Sequence, residues 1–436
     1  MSDAPRRPRI LAYAYDIEPD RGSEPGAGWA AVRMLAGFAD VTVITRHRPP
    51  GADGTFGPWT SRIPEGEWVH FVPVMLAGDP TSIDVKGQPA RWSRQAHVGY
   101  IAWQLLAVRE ARRLHAAEPF DLTWHLTWAN GWFGSTLSSI DAPFVLGPIG
   151  GGVAPPWRLV AGLGPRGVLF ELARAVARVG ARRLNPLAHR SWRRARLILV
   201  QNRETLEWLP AAARKRARVF HNATVEHPPV RSRRREPSQP PVAVFVGRLV
   251  PLKGCHLALM ALAGLPDWRL MVCGDGPEAA RLADLAERLG VEDRVEFRGW
   301  LERDEVLRAM ADEADVLLFP SLHDEAGLAV AEAAAIGLPI VCIDRGGPPV
   351  IAGGGVAPGT VGATVEGLRT GLRSALDSDP PRAALDPATR RAELVGLLRE
   401  ARLLPAEDVA RPAGADGPAR AGAVKRQAPL VPDEPA

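Results

Sequence analysis

Twice along this chain, short β-rich apolar segments alternate with helix-like ones, and "EHPPVRSRRREPSQPP" (Glu226–Pro241) separates the two series. Strands that return through helices pair as a parallel sheet with right-handed crossovers, so each series specifies an α/β layer of its own. The first series opens on "RILAYAY" (Arg9–Tyr15), passes through "GSEPGAG", read as a Gly/Pro-rich loop, and enters the helix "WAAVRMLAGF". "VTVITR" and "VHFVPV" are strands of the buried or half-buried type. The helix "YIAWQLLAVREARRLHA", the strands "LTWHLTW" and "PFVLGPIGGG", and "ARLILVQN" complete the set. The second series runs "VAVFVGR", "CHLALMALAGL", "WRLMVCGDG", "EAARLADLAERLG", "RVEFRGW", "DEVLRAMADEA", "DVLLFPS", an apolar helix and "PIVCIDRGG".

The expected fold class is therefore α/β, with two doubly wound parallel-sheet (Rossmann-like) domains facing across a cleft. Residues 1–225 form the first domain, 226–241 a linker with almost nothing apolar, and 242–379 the second domain. Residues 380–404 are a candidate last helix, and the Pro/Ala/Gly-rich 405–436 reads as a disordered tail. A length of 436 residues also exceeds one ordinary core.

Composition narrows the class. Hydrophobic content of 46% and charged content of 24% are those of a soluble globular protein. The net charge of +5 suggests anionic partners, although all but four of the 54 basic residues are arginine, which coding bias explains as well. No nucleic-acid-binding module or aromatic-interleaved basic repeat is present, so nucleic acid is not an expected partner. Cys255, Cys273 and Cys342 sit in apolar contexts without metal-ligand spacing and read as buried thiols of a reducing compartment. The basic N-terminus lacks a long apolar h-region and no segment reaches membrane-spanning length, so a cytoplasmic location is expected.

Ligands of doubly wound sheets collect at the carboxyl ends of the strands. There "VGRLVPLKG" places Gly247, Arg248 and Lys253, two cations suited to a diphosphate or, alternatively, two solvated surface charges. "CGDGPE" supplies Gly274 and Gly276 at a strand–turn–helix junction where backbone can approach a ligand. In "SLHDEAGLAVAEAAAIGLP" (Ser321–Pro339), Gly327 and Leu328 offer free N–H groups at a helix start. Apolar helices seldom carry an unpaired carboxylate, so Asp324 and Glu332 stand out. Glu332 can accept two hydroxyl hydrogens at once, as ribose recognition requires, or simply face solvent; Asp324 can equally be an N-terminal cap.

Taken in order, "FVGRLVPLKG…CGDGPE…VEFRGWL…LLFPSLHDEAGLAVAEAAAIGLPIV…GG" resembles the donor-binding half of retaining glycosyltransferases of the GT-B fold, family 4. "RGSEPGAGW" and "HLTW…PFVLGPIGGG" resemble that family's acceptor half, and the resemblance spans Arg9 to Gly347. It implies that Arg248 and Lys253 hold the donor's diphosphate and that the family's paired glutamates fall on Asp324 and Glu332. Glu332 would then hold the nucleotide's ribose. Asp324, one methylene shorter than glutamate, would contact the transferred sugar, unless Glu325 supplies the reach. Phe297 to Leu301 would line the base, and Gly26 and Gly28 would let the backbone close on the donor phosphates from the other domain. His323 would touch the sugar. His125 would orient acceptor or sugar hydroxyls, or serve as a satisfied core histidine. Because "GPIGGG" lacks the histidine other branches carry nearby, no catalytic histidine is transferred to that loop.

The activity so implied is metal-independent transfer from a nucleotide-diphospho-sugar, such as a UDP-sugar, to an acceptor hydroxyl with retention, the departing phosphate taking the proton. No Asp-any-Asp motif lies at a strand end; "DSD" (Asp377–Asp379) reads as a helix terminus. No metal or cofactor is expected. Alternatives are a 2-epimerase of the same architecture and a catalytically silent nucleotide-sugar-binding protein.

The acceptor is a glycan, a lipid-linked molecule or a small molecule. Residues 158–218 hold fifteen Arg or Lys against three Asp or Glu, and Arg174, Arg178 and Arg182 recur opposite Leu172, Val176 and Val179. Such a helix either lies on anionic lipid or packs its apolar stripe on the sheet with its arginines in water; the second arrangement is the expectation. Trp124, Trp128 and Trp132 read as packing, and His221 with Asn222 as hinge support.

Overall fold

A computed structural model describes residues 6–405 apart from 20–22, 48, 52, 77–93, 161–163, 234–235, 237–238, 354–359, 363 and 379–382. The tail expected at 405–436 lies outside the described residues beyond Pro405, as do parts of the linker and Asp379.

The first domain begins β1 (Arg9–Ala14), α1 (Ser23–Ala36), β2 (Asp40–Thr45), α2 (Gly57–Thr60), β3 (Trp68–Pro73), α3 (Arg94–Ala117) and β4 (Leu122–Thr127). It continues β5 (Phe144–Ile149), α4 (Trp157–Val160), α5 (Gly164–Leu184), α6 (Pro186–Arg194), β6 (Ala195–Val200), α7 (Arg203–Trp208), α8 (Ala211–Arg214) and β7 (Ala217–Val219). Its strands form one parallel sheet in the order β3-β2-β1-β4-β5-β6-β7.

The second domain begins β8 (Val242–Val246), α9 (Cys255–Ala263), β9 (Arg269–Cys273), α10 (Ala279–Leu289), β10 (Val295–Gly299), α11 (Arg303–Asp312) and β11 (Val316–Phe319). Then come α12 (Leu328–Ile336), β12 (Ile340–Ile343), α13 (Pro348–Ile351), β13 (Thr360–Val361), α14 (Val365–Ala375) and α15 (Pro387–Glu400). Its sheet, also parallel, is ordered β10-β9-β8-β11-β12-β13.

Strand alternation builds the layers. Ile10, Ala12 and Ala14 of β1 face one way, against Val32 and Leu35 of α1. Leu11, Tyr13 and Tyr15 face the other, against Tyr100 and Trp103 of α3 and Trp192 of α6. This two-residue period lets inner strands such as β1, β4 and β5 bury both faces between helices, while the edge strands β3 and β10 keep exposed residues. In each sheet the strand order reverses once, between β1 and β4 and between β8 and β11, and a crevice opens at such a point.

The chain crosses between the domains twice, and the crossings touch: Val225 N donates to Leu385 O at 3.0 Å. Beyond the second crossing, α15 packs Leu394 and Leu398 into the first domain's core. Arg390 donates to His221 O at 2.7 Å and covers the Phe220 ring, so the last helix braces the hinge region around His221.

Two expectations are corrected. From Ser23 onward "GSEPGAG" is helix rather than loop, with Gly26 and Gly28 inside α1. A Cβ on Gly28 would meet Asp16 O at 2.6 Å, so this glycine lets the helix press on the end of β1 within its own domain. The orientation expected of α5 is reversed. Arg174 and Arg178 turn inward, Arg178 Nη1 donating to Val153 O at 2.9 Å, while Leu172, Val176 and Val179 are exposed.

Candidate active site

The reversal point of the second sheet gathers most of the residues singled out from the sequence. After β8 the chain makes a tight turn, and Gly254, at φ 74°, leaves no room for a side chain: a Cβ there would lie 2.1 Å from Pro320 O. The loops after β8 and β11 are tied by Leu322 N donating to Leu252 O at 2.8 Å. That closeness brings Lys253 Nζ to 2.5 Å from Asp324 Oδ2. The loop after β12 supports them from the other side, Gly347 N donating to Asp324 O at 3.1 Å. Arg248 is exposed on the same β8 loop.

The glycines form the floor. Gly274 N donates to Gly299 O at 2.8 Å, and Gly247 N to Cys273 O at 3.1 Å. A Cβ on Gly274 would sit 2.0 Å from Gly247 O, and one on Gly276 would sit 2.5 Å from Leu249 O. The ends of β10, β9 and β8 are thus packed backbone to backbone. Gly327, at φ 91°, caps α12; Val330 N and Ala331 N donate back to Gly327 O at 3.0 and 3.2 Å, and the amides of Leu328 and Ala329 precede the first of these bonds. Inside α12, Glu332 pairs with Arg303 Nε at 2.8 Å; burial raises its carboxyl pKa and Arg303 opposes the shift. Phe297 is exposed on β10, the edge strand, while Leu301 packs against the core.

Three candidates are drawn elsewhere. His125 is 1% exposed in the first domain, with Nε2 3.1 Å from Tyr100 Oη and 3.2 Å from Trp128 O. Burial lowers its pKa to about 4, so it is neutral near pH 7 and occupies the core position. This corrects its placement among the catalytic residues. His323 faces Arg174 of α5, whose Nη2 lies 2.6 Å from Nε2; burial, then Arg174, Lys253 and Arg178, drive its pKa far down.

Glu325 turns away from Lys253 and enters the first domain. Its Oε2 accepts from Asn202 Nδ2 at 2.9 Å and from Thr205 Oγ1 at 3.2 Å, and Asn202 Nδ2 also donates to Glu325 O at 2.9 Å. The glycine run "GGG" is explained by this contact: Cβ atoms on Gly150 and Gly152 would lie 2.7 Å from Glu325 and 2.3 Å from Thr205. Gly346 N also donates to Glu204 Oε1 at 2.9 Å. Consecutive residues of one loop therefore hold opposite domains, Asp324 the second and Glu325 the first. Glu325→Ala leaves two donors without their acceptor and is expected to cost about 2–3 kcal/mol. Thermal unfolding of the variant beside Glu325→Gln, which keeps an acceptor oxygen, checks this; equal stability of all three proteins would contradict the latch.

One residue escaped the sequence reading. Glu24, in the first turn of α1 at the reversal point of the first sheet, accepts from Ala129 N at 2.5 Å. Burial, countered by Ala129 N and assisted by Asp16, raises its pKa to about 7. The signal was an acid within a glycine-rich helix start directly after a strand. Among the described residues, no group of three or more His, Cys, Asp and Glu is arranged to hold a metal ion.

Residues 228–392 match the sequence model of the family described as glycosyl transferases group 1. The D-inositol 3-phosphate glycosyltransferase of Mycolicibacterium smegmatis is 36% identical over 164 residues, 35% of this chain and 36% of that protein. The 2-deoxystreptamine glucosyltransferase of Streptomyces kanamyceticus is 39% identical over 111 residues, 24% of this chain and 28% of that protein. The match thus spans about a third of the length of these curated relatives. Among solved structures, Anabaena HepE in complex with UDP aligns with a TM-score of 0.54 and 18% identity, over 90% of this chain and 100% of that one. Sucrose-phosphate synthase from Thermosynechococcus elongatus aligns at 0.55 and 17%, over 91% and 97%. Those likenesses concern the fold, which is of the GT-B type.

Proposed function

With residues 228–392 matching the glycosyl transferases group 1 family, we propose that this chain transfers a sugar from a nucleotide-diphospho-sugar to an acceptor hydroxyl. The observation that carries the reading is the convergence at one sheet reversal of Lys253, Asp324, exposed Arg248 and the open helix start at Gly327. Cations and unpaired amides at that point oppose the charge that develops on a leaving diphosphate. Glu332 grips the ribose hydroxyls, displacing Arg303 to the rim. Phe297 to Leu301 flank the base, and UDP is the nucleotide we favour. Asp324 holds a hydroxyl of the transferred sugar while keeping Lys253 oriented.

Transfer proceeds with retention and needs no divalent ion. Two acids follow β11, but Lys253 occupies Asp324 and the first domain occupies Glu325, so neither is offered as a covalent nucleophile. As the resemblance to retaining GT-B enzymes implies, the departing phosphate takes the acceptor's proton. The setting we infer is the cytoplasm, at the inner membrane face: Cys255, Cys273 and Cys342 are free and buried, and burial pushes the Cys255 thiol up to about 12. The acceptor is a glycan, a lipid-linked molecule or a small molecule.

Purified protein should bind UDP and UDP-sugars with a rise in melting temperature, reduced in Glu332→Ala. It should release UDP from a UDP-sugar at the same rate with and without a chelator. Strict dependence on a divalent ion would refute the metal-free leaving-group step, and binding without any turnover would leave a sugar-nucleotide-binding protein.

A further inference from the structure

The inward turn of Arg174 and Arg178 leaves the opposite side of α5 with no partner among the described residues. Leu169 is 68% exposed, Phe170 60% and Val176 73%. On α3, Val98, Ile101 and Leu105 share one stripe, exposed by 66%, 45% and 56%. Six large apolar side chains held in water by two helices are more than scattered surface residues.

Topology puts this surface at the mouth of the cleft. Crossover helices run back along a parallel sheet, so the first half of α3, following β3, lies at the carboxyl ends of the strands. The α5 face is the reverse side of a helix whose arginines reach the interdomain surface at His323 and Val153. α3 covers the sheet face whose core holds Tyr100, Trp103 and Trp192, and Ala181, near the end of α5, packs against the same core.

Charge indicates what covers it. The outer stripe of α3 continues from Leu105 to exposed Arg109 and Arg112. Residues 164–194 carry eight arginines and one acid, Glu171, which is 2% exposed and paired with Arg174. Arg183, Arg190 and Arg193 are exposed beside the apolar surface. Apolar side chains flanked by arginine, with acidic groups withdrawn, complement an anionic lipid headgroup layer rather than a neutral protein surface. No helix among the described residues is long and apolar enough to cross a membrane, so the contact is one of lying on the surface.

We infer that the α3–α5 face seats the first domain on an anionic membrane with the cleft mouth at the bilayer, and that the acceptor hydroxyl is carried by a membrane lipid. The second clause rests on the transfer reading above; the docking does not. Val98, Leu105, Leu169, Phe170 and Val176 enter the headgroup–acyl boundary, while Arg183, Arg190 and Arg193 meet lipid phosphates.

The full chain should cosediment with phosphatidylcholine vesicles containing about 30 mol% phosphatidylglycerol, and much less with phosphatidylcholine alone. Leu169→Ser/Phe170→Ser/Val176→Ser should weaken that partition about tenfold or more, while thermal unfolding and the UDP-induced shift stay as in the wild type. Arg183→Gln/Arg190→Gln/Arg193→Gln should reduce binding to the level seen on neutral vesicles. Unchanged partition of the serine variant would overturn the inference. So would a wild-type chain that ignores anionic vesicles, or a dimer dispersed by the same serines with no vesicle binding, which would assign the face to a second copy. Vesicle binding without a UDP shift would sink the donor reading and leave the docking intact.

Discussion

Replacing Lys253 by alanine is expected to lower kcat for transfer from a UDP-sugar by about 100- to 1000-fold, the scale for removing one preorganised donor aimed at developing charge. Lys253 sits where the β8 and β11 loops touch, held by Asp324 at 2.5 Å and lying 5.8 Å from the Phe319 ring centroid. Its loss removes a positive charge from the leaving group and also leaves Asp324 without its counter-charge, adding repulsion toward the diphosphate. The effect should fall mainly on kcat, because charge on the departing oxygens grows toward the transition state. Lys253→Arg should retain more activity than alanine, since the charge persists although the point contact becomes a fork. Steady-state kinetics of the three proteins decide it: undiminished kcat in Lys253→Ala would remove the phosphate assignment.

The second large effect concerns pH. Glu24 has a folded-state pKa raised from the ordinary 4.5 of a glutamate to about 7, chiefly by burial, so the folded protein holds this proton more tightly than the unfolded chain. A raised pKa contributes stability that is complete below about pH 4.5 and disappears as pH climbs through about 7. At about 1.36 kcal/mol per pKa unit, the loss approaches about 3 kcal/mol. Glu24→Gln keeps an oxygen for Ala129 N and carries no charge. The variant should match the wild type at pH 5 and become the more stable protein by pH 8, as denaturant midpoints at the two values would show. Parallel pH profiles would mean that the carboxyl is solvated well enough to ionise normally. Near pH 7 this group, at the reversal point of the first sheet, exists in both protonation states.

Much of this molecule was readable in one dimension because the relevant physics is local. Alternation of β-branched and helical segments reports the period of burial along the chain, and two such series around a Pro/Arg-rich stretch already specify two parallel sheets. Gly247, Gly274 and Gly276 were legible as backbone approach points because glycine after a strand has few other reasons to recur. That the cationic β8 loop and the acidic β11 loop lie at one site also followed, since both strands end at the same edge; the ion pair between Lys253 and Asp324 did not.

Other features depended on what lies across the gap. "GSEPGAG" read as a loop because glycine and proline oppose helix, but close approach of α1 to Asp16 O outweighs that propensity at Gly28. His125 looked like a cleft residue at a strand end; Tyr100 of α3 and Tyr13 of β1 enclose it. Asp324 and Glu325, adjacent acids with the same charge, were indistinguishable until Asn202 and Thr205 of the first domain claimed one and Lys253 the other. The helix Gly164–Leu184 shows the limit most plainly. Its sequence supplies one apolar and one basic face, and periodicity carries no sign saying which turns inward. Residues on the second domain, far along the chain, offered His323 to Arg174 and left the apolar face outside. Composition and period thus determined the elements and their layers, while the direction in which each face and each acid points was decided only by tertiary contacts, because those depend on partners that sequence neighbours do not encode.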